Sequence, residues 1–252
     1  MSPAKKDRTR SLFRDTDLDS PVFTEVRRLL QMLQQQAVGA RRQIYMITSA
    51  GRGEGKSTIT GLLAFVAARI FSKRTIVVDG DLRQPMQHHL MDLSQGPGLF
   101  EYMHGRATFD RVARPTPFTT LRVITAGRVQ HPMGDAYRDG AFRNLLASLR
   151  EECDFAFVDS APIVPVVEPM LMAEHVDAIL TVVMAGQTSI PAVRRLRRLL
   201  EPLQPKLVGT IVNNASRALP YYYEHRYYGY KPDRRAGRKV PDGTTETSAW
   251  GG

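Results

Sequence analysis

The nine residues Ala50-Gly51-Arg52-Gly53-Glu54-Gly55-Lys56-Ser57-Thr58 constrain this chain more than any other stretch. An apolar run, Ile44-Tyr45-Met46-Ile47, precedes them, and an apolar helical pattern from Ile59 to Ile70 follows. Strand, glycine-rich loop and helix in that order form the setting of a phosphate-binding P-loop. Gly51, Gly53 and Gly55 let the backbone curl so that successive N–H groups face one concavity, where a polyphosphate can sit. The following helix adds the partial positive charge of its N-terminus. Lys56 has the reach for β- and γ-phosphates, and the Ser57 hydroxyl can hold Mg²⁺. Ala50 occupies the first position of G-x-x-x-x-G-K-[ST], a relaxed form of the motif.

Two further stretches point the same way. Ile76-Val77-Val78-Asp79-Gly80-Asp81-Leu82-Arg83 is an apolar strand pattern ending in two carboxylates, and Phe155-Ala156-Phe157-Val158-Asp159-Ser160-Ala161-Pro162 is another ending in one. Strands that finish in Asp place carboxylates at the C-terminal edge of a parallel sheet, where open α/β folds bind ligands. A Mg²⁺–nucleotide needs such hard oxygen groups, bound directly or through water. Any one of these Asp residues alone reads equally as a turn or cap residue. The three motifs in this order favour a nucleotide site.

Apolar residues make up 42% of the 252 residues, enough for one α/β domain plus tails. No apolar run approaches the roughly 18–20 residues of a membrane span. Met1 to Asp19 is polar and charged, unlike a secretory signal. The single cysteine, Cys153, excludes an intramolecular disulfide and fits the cytosol; it reads as a packed thiol. A formal charge of +10 permits contact with lipid, nucleic acid or acidic protein without choosing between them. Part of that excess is the run Arg194-Arg195-Leu196-Arg197-Arg198, whose simplest reading is a solvated face.

Residues 1–19 are expected to be disordered, 20–218 to form the P-loop domain, and 219–252 to form a flexible tail. Ser20-Pro21 reads as an N-cap and first helical position, with Val22, Val26, Leu29, Leu30 and Leu33 as the apolar side of a first helix. Later expectations are strands at 44–48, 75–78, 121–125, 154–158, 176–184 and 207–212. Helices are expected at 56–71, 84–91, 99–103, 135–150 and 191–203. Adjacent His88 and His89 are expected to point apart on their helix, which argues against a metal pair. Prolines 162, 165 and 169 are expected to keep their segment irregular. The alternation implies a doubly wound, mostly parallel sheet. Tyr221, Tyr222, Tyr223, Tyr227, Tyr228 and Tyr230 are six of the nine tyrosines, clustered outside any apolar periodicity. They fit either stacking on nucleic acid or acceptance of phosphate.

Taken together, these motifs resemble the catalytic domain of the bacterial tyrosine kinases, autokinases that regulate capsule and exopolysaccharide synthesis, over roughly residues 20–230. The resemblance rests on the loop at 49–58, the D-x-D-x-R of Asp79, Asp81 and Arg83, the strand ending in Asp159, the Gly98–Gly105 stretch and the tyrosine-rich end. It implies a P-loop NTPase fold of the partition-ATPase type and ATP with Mg²⁺ as cofactors. By resemblance, Gly51, Arg52, Gly53, Glu54, Gly55, Lys56, Ser57 and Thr58 bind the nucleotide, and Asn213 touches the adenine. Ser57, Asp81 and Asp159 hold the metal. Lys56, Asp79, Asp81 and Asp159 are catalytic, with the base open between Asp79 and Asp81. The six tail tyrosines accept phosphate.

The resemblance also implies self-association, a separate membrane-anchored activator or chain-length regulator, and a cognate tyrosine phosphatase, but no nucleic acid. It implies a cytoplasmic protein recruited to the inner face of the membrane. Two positions depart from the family pattern. Arg52 stands where proline is common, and Gln31 replaces the second arginine of E-x-x-R-x-x-R after Glu25 and Arg28. A partition-type ATPase switch on DNA or membrane is the alternative, although Gly51 occupies the place of its signature lysine and the tyrosine cluster has no reason there. A nucleotide-binding scaffold without catalysis is a third reading.

Overall fold

The computed structural model describes residues 17–36, 43–130, 137 and 140–215. Its strands are β1 (Gln43–Ser49), β2 (Thr75–Asp79), β3 (Arg114–Pro115), β4 (Leu121–Ile124), β5 (Phe155–Asp159), β6 (Ala178–Met184) and β7 (Leu207–Asn213). They form one sheet in the order β3-β4-β2-β5-β1-β6-β7. Only the β3–β4 pair is antiparallel. β2 and β5 are buried at every position. Continuous apolar strands of this kind require cover on both faces, and the helices supply it.

Two helices cover one face: α1 (Pro21–Gln36) and α2 (Lys56–Arg69). Phe23, Leu30, Phe65, Tyr45 and Phe157 belong to that layer. Phe65 is its hinge of packing, edge-on to Phe23 at 5.8 Å and to Phe118 at 5.0 Å. The other face carries α4 (Leu99–Met103), α6 (Ala141–Glu152), α7 (Glu168–Ala173) and α8 (Ile190–Leu200). Two short helices, α3 (Gln87–Leu90) and α5 (Phe109–Val112), complete the set. Among the described residues no helix is long and apolar enough to cross a membrane.

Several boundaries differ from the sequence reading. Val22 is 55% exposed and Phe23 takes its place in the core. Of the helix expected over 135–150, the described part is α6 from Ala141, with Gly140 before it at a left-handed φ of 77°. Asp135 itself lies outside the described residues. Pro169 does not break its segment; it sits in the first turn of α7, where no N–H is needed. The helix expected over 84–91 shrinks to α3, since Pro85 precedes it and Asp79 receives its first N–H groups. The pair α5 and β3 had no sequence expectation. The rings of His88 and His89 lie 3.9 Å apart rather than diverging. Cys153 is buried as expected, and burial pushes its thiol up to about 12.

Candidate active site

The parallel register puts Asp79 beside Asp159 at the C-terminal ends of β2 and β5. β1 lies on the other side of β5 and runs into the loop before α2. The three motifs therefore converge on one sheet edge.

The loop 50–55 is built from both its backbone and one side chain. Gly53 and Gly55 have φ of 75° and 91°, a region costly for any residue with a Cβ. At Gly55 a Cβ would also collide with Asn213 Nδ2. Glu54 is 4% exposed and points inward. Its carboxylate accepts the Gly51 N–H at 2.9 Å and the Thr188 hydroxyl at 2.5 Å. Asn213 Nδ2 donates to the Glu54 carbonyl at 3.0 Å. Glu54 and Asn213 thus brace the loop through their side chains, tying it to the ends of β6 and β7. Arg52 and Gly53 are exposed at its crest, and Gly51, Ser57 and Thr58 are half-buried.

Lys56 Nζ lies 3.0 Å from Asp81 Oδ2, with both side chains largely shielded. An ammonium has three donors, so Lys56 can hold Asp81 and a phosphate together. The other Asp81 oxygen accepts the Gln84 N–H at 3.0 Å. Asp79 and Asp159 are fully buried. Asp79 Oδ2 accepts the N–H groups of Met86 and Gln87 at 3.0 and 2.8 Å. Oδ1 of Asp79 and Oδ1 of Asp159 have no partner. Burial first, and then the neighbouring Asp159, raise the Asp79 carboxyl well above its usual range. Burial also raises Asp159, against the pull of Lys56 and hydrogen bonds from Gln87 and Ser57.

The orphaned Asp159 oxygen at the mouth of a phosphate loop is a site a divalent cation satisfies, whereas the orphaned Asp79 oxygen is free to take a proton. Among the described residues no three His, Cys, Asp or Glu side chains could hold a metal by themselves. The donor set therefore suits Mg²⁺ carried on phosphate oxygens, which needs few protein ligands.

Gln87 had no sequence expectation. Its side chain is fully buried, and Nε2 donates to the Ser57 carbonyl at 2.9 Å and to Asp159 Oδ2 at 3.0 Å. Both partners are acceptors, which fixes the amide orientation. Its own N–H serves Asp79, so one residue joins the three motifs. Glu168 was also missed: its Oε1 accepts Arg83 Nη2 at 2.6 Å, linking the loops after β2 and β5. Neither residue belongs to a motif whose spacing reveals it. Tyr221, Tyr222, Tyr223, Tyr227, Tyr228 and Tyr230 lie outside the described residues.

No protein-family model matches the chain. Comparison with individual proteins is more informative. A putative tyrosine-protein kinase, CapB of Staphylococcus aureus, is 28% identical over 186 residues, covering 73% of this chain and 80% of that protein. The kinase domain of the Escherichia coli tyrosine kinase ETK superposes with a TM-score of 0.71 at 27% identity, covering 82% of this chain and 84% of that domain. The chain's relatives are bacterial tyrosine kinases, and its structural neighbours are their catalytic domains. Within this family the succinoglycan biosynthesis transport protein ExoP of Rhizobium meliloti is 30% identical over 208 residues, yet the chain spans only 26% of its length. The septum site-determining protein MinD of Pyrococcus horikoshii has a TM-score of 0.60 at 20% identity, covering 71% of this chain and 72% of that one. That likeness shows a shared fold, and the partition-type alternative has nothing beyond it.

Proposed function

We propose that this kinase is an ATP-dependent protein-tyrosine autokinase that phosphorylates its own C-terminal tyrosine cluster and so regulates the making or export of an exopolysaccharide or capsule. The observation that carries the reading is the convergence of Lys56, Asp81, Asp79 and Asp159 at the phosphate loop of a chain whose relatives are named tyrosine kinases. The loop amides and Lys56 hold the phosphates of ATP. Asp159 and Ser57 hold Mg²⁺, with Asp81 completing its surroundings. That ion, when bound, neutralises charge on the phosphates. Asp79 is the carboxylate assigned to receive the phenol proton of the incoming tyrosine. A phenol has pKa about 10, and a base of raised pKa is suited to it. Asp81 becomes the base if Asp79 is dispensable.

Residues 20–218 form the kinase domain in this reading, and 219–252 the substrate tail. A membrane-anchored activator supplied by a separate protein, and self-association that presents one tail to another site, complete the proposal. The test is incubation with Mg–ATP, with and without the cytoplasmic segment of a candidate activator. Phosphotyrosine should form and should vanish when all six tail tyrosines are changed to Phe. ATP hydrolysis without phosphotyrosine under both conditions would sink the reading.

A further inference from the structure

α8 lies between β6 and β7 on the face shared with α6 and α7. It carries Arg194, Arg195, Arg197 and Arg198, all exposed. Among the described residues none of the four makes an ion pair, whereas Arg28, Arg74, Arg83, Arg122 and Arg150 each do. A cavity of about 900 Å³ opens between this helix and the edge of the sheet. Arg194, Arg197 and Arg198 line it, with Thr210 from β7. Its apolar wall includes Val193, Leu196 and Leu207, and among the described residues Glu201 is the only carboxylate in the lining. No residue of the phosphate loop or of the strand-end carboxylates borders it.

A solvated basic face needs no hollow. This one combines unpaired guanidinium groups with an apolar wall, the pair of features that an aromatic ring bearing a phosphate requires. Guanidinium binds phosphate oxygens bidentately, and the wall shields the ring. A bilayer surface is flat and cannot enter such a cavity.

The chain supplies a matching ligand. β7 ends beside β6, with Met184 opposite Asn213, at the edge from which the chain enters α8. Tyr221 is six positions beyond Ala215 and Tyr230 fifteen. Extended chain of those lengths reaches about 20 and about 50 Å. The whole of α8 is only about 16 Å long. Residues 221–230 contain one Glu and one Arg, so they carry no net charge when His225 is neutral. Each phosphate adds roughly −1.5 to −2.

We infer that the cavity under α8 is a docking site for the chain's own C-terminal tyrosine cluster in its phosphorylated form. The inference rests on the autokinase reading, and gives it a consequence: the modified tail is held at a site that no phosphate-loop residue lines. Docking competes with return of the tail to an active site, so phosphorylation both ends the reaction at that tail and occupies a new surface.

The test uses the full chain, treated with a tyrosine phosphatase and kept free of ATP, so that it does not depend on kinase activity. It is titrated with a synthetic peptide of residues 216–232 phosphorylated on Tyr222 and Tyr227, with the same peptide unphosphorylated, and with vesicles containing phosphatidylserine. The phosphopeptide should bind at least about tenfold more tightly than its plain form, and less tightly as salt rises. The triple variant Arg194→Gln, Arg197→Gln and Arg198→Gln should lose at least about tenfold, and Arg197→Gln alone about threefold, while Arg143→Gln on α6 binds as wild type. Unfolding curves show whether the variants remain folded; the single variant removes one exposed side chain and keeps the test open if the triple one fails. Equal binding of the two peptides, or unchanged phosphopeptide binding in a folded variant, would overturn the inference. Vesicle binding lost in these variants, with no phosphopeptide binding by wild type, would assign the arginines to a membrane instead.

Discussion

At the scale of single residues, Gln87 and Asp79 decide how the site behaves without nucleotide. Gln87 is held by three motifs at once, so Gln87→Ala strips one partner from Asp159 and one from the Ser57 carbonyl. Leaving buried acceptors without a donor costs about 1–3 kcal/mol, to be read from urea unfolding. Asp79 makes the opposite prediction. Its carboxyl is raised in the folded state from 3.8 in the unfolded chain. Between those two values the folded chain binds the extra proton, so stability falls as pH rises and levels off above the folded pKa. Asp79→Asn removes this loss while one amide oxygen still accepts the Met86 and Gln87 N–H groups. The variant should therefore be more stable than wild type at pH 8, with a flatter pH dependence in thermal unfolding. Its phosphotyrosine formation should fall on the order of 10²-fold or more. Retained activity would move the base to Asp81. The sequence made Asp79 legible because strand-end aspartates have a recognisable pattern. It hid Gln87, since a glutamine after a proline-containing turn carries no pattern, and only the fold brings it against Asp159.

Among the elements, α1 and α2 show why the apolar rhythm was readable and its phase was not. Phe23 and Val22 are neighbours, and either continues a 3.6-residue stripe through Val26 and Leu33. The edge-on packing of Phe23 against Phe65 chooses between them. Phe65→Ala removes a side chain shared by α1, α2 and the segment before β4, at a cost of about 3–5 kcal/mol. A denaturation midpoint within error of wild type would show that α1 does not depend on this contact. The long, strongly apolar strands were legible because a buried parallel sheet demands continuous runs. β3 and α5 escaped because two- and four-residue elements are set by neighbours, not by period. α6 is seen from Ala141, after a left-handed Gly140, and the residues from 135 with which the expected helix starts lie outside the described residues.

For the whole molecule, the parallel order brings the ends of β1, β2 and β5 together, and each end had been marked by its own motif. That is why most of the site could be placed from sequence. The braces could not: Thr188, in the turn after β6, and Asn213, at the end of β7, reach Glu54 from far along the chain. The central claim joins this site to tyrosines that lie outside the described residues, and one measurement addresses it. The full chain is incubated with Mg–ATP and an activator segment, and phosphate is mapped by mass spectrometry, with Lys56→Met alongside. Phosphate on residues 221–230, lost in a folded Lys56→Met chain, is the result this account predicts. Phosphate absent from those tyrosines while ATP is consumed, or present there regardless of Lys56, would contradict it.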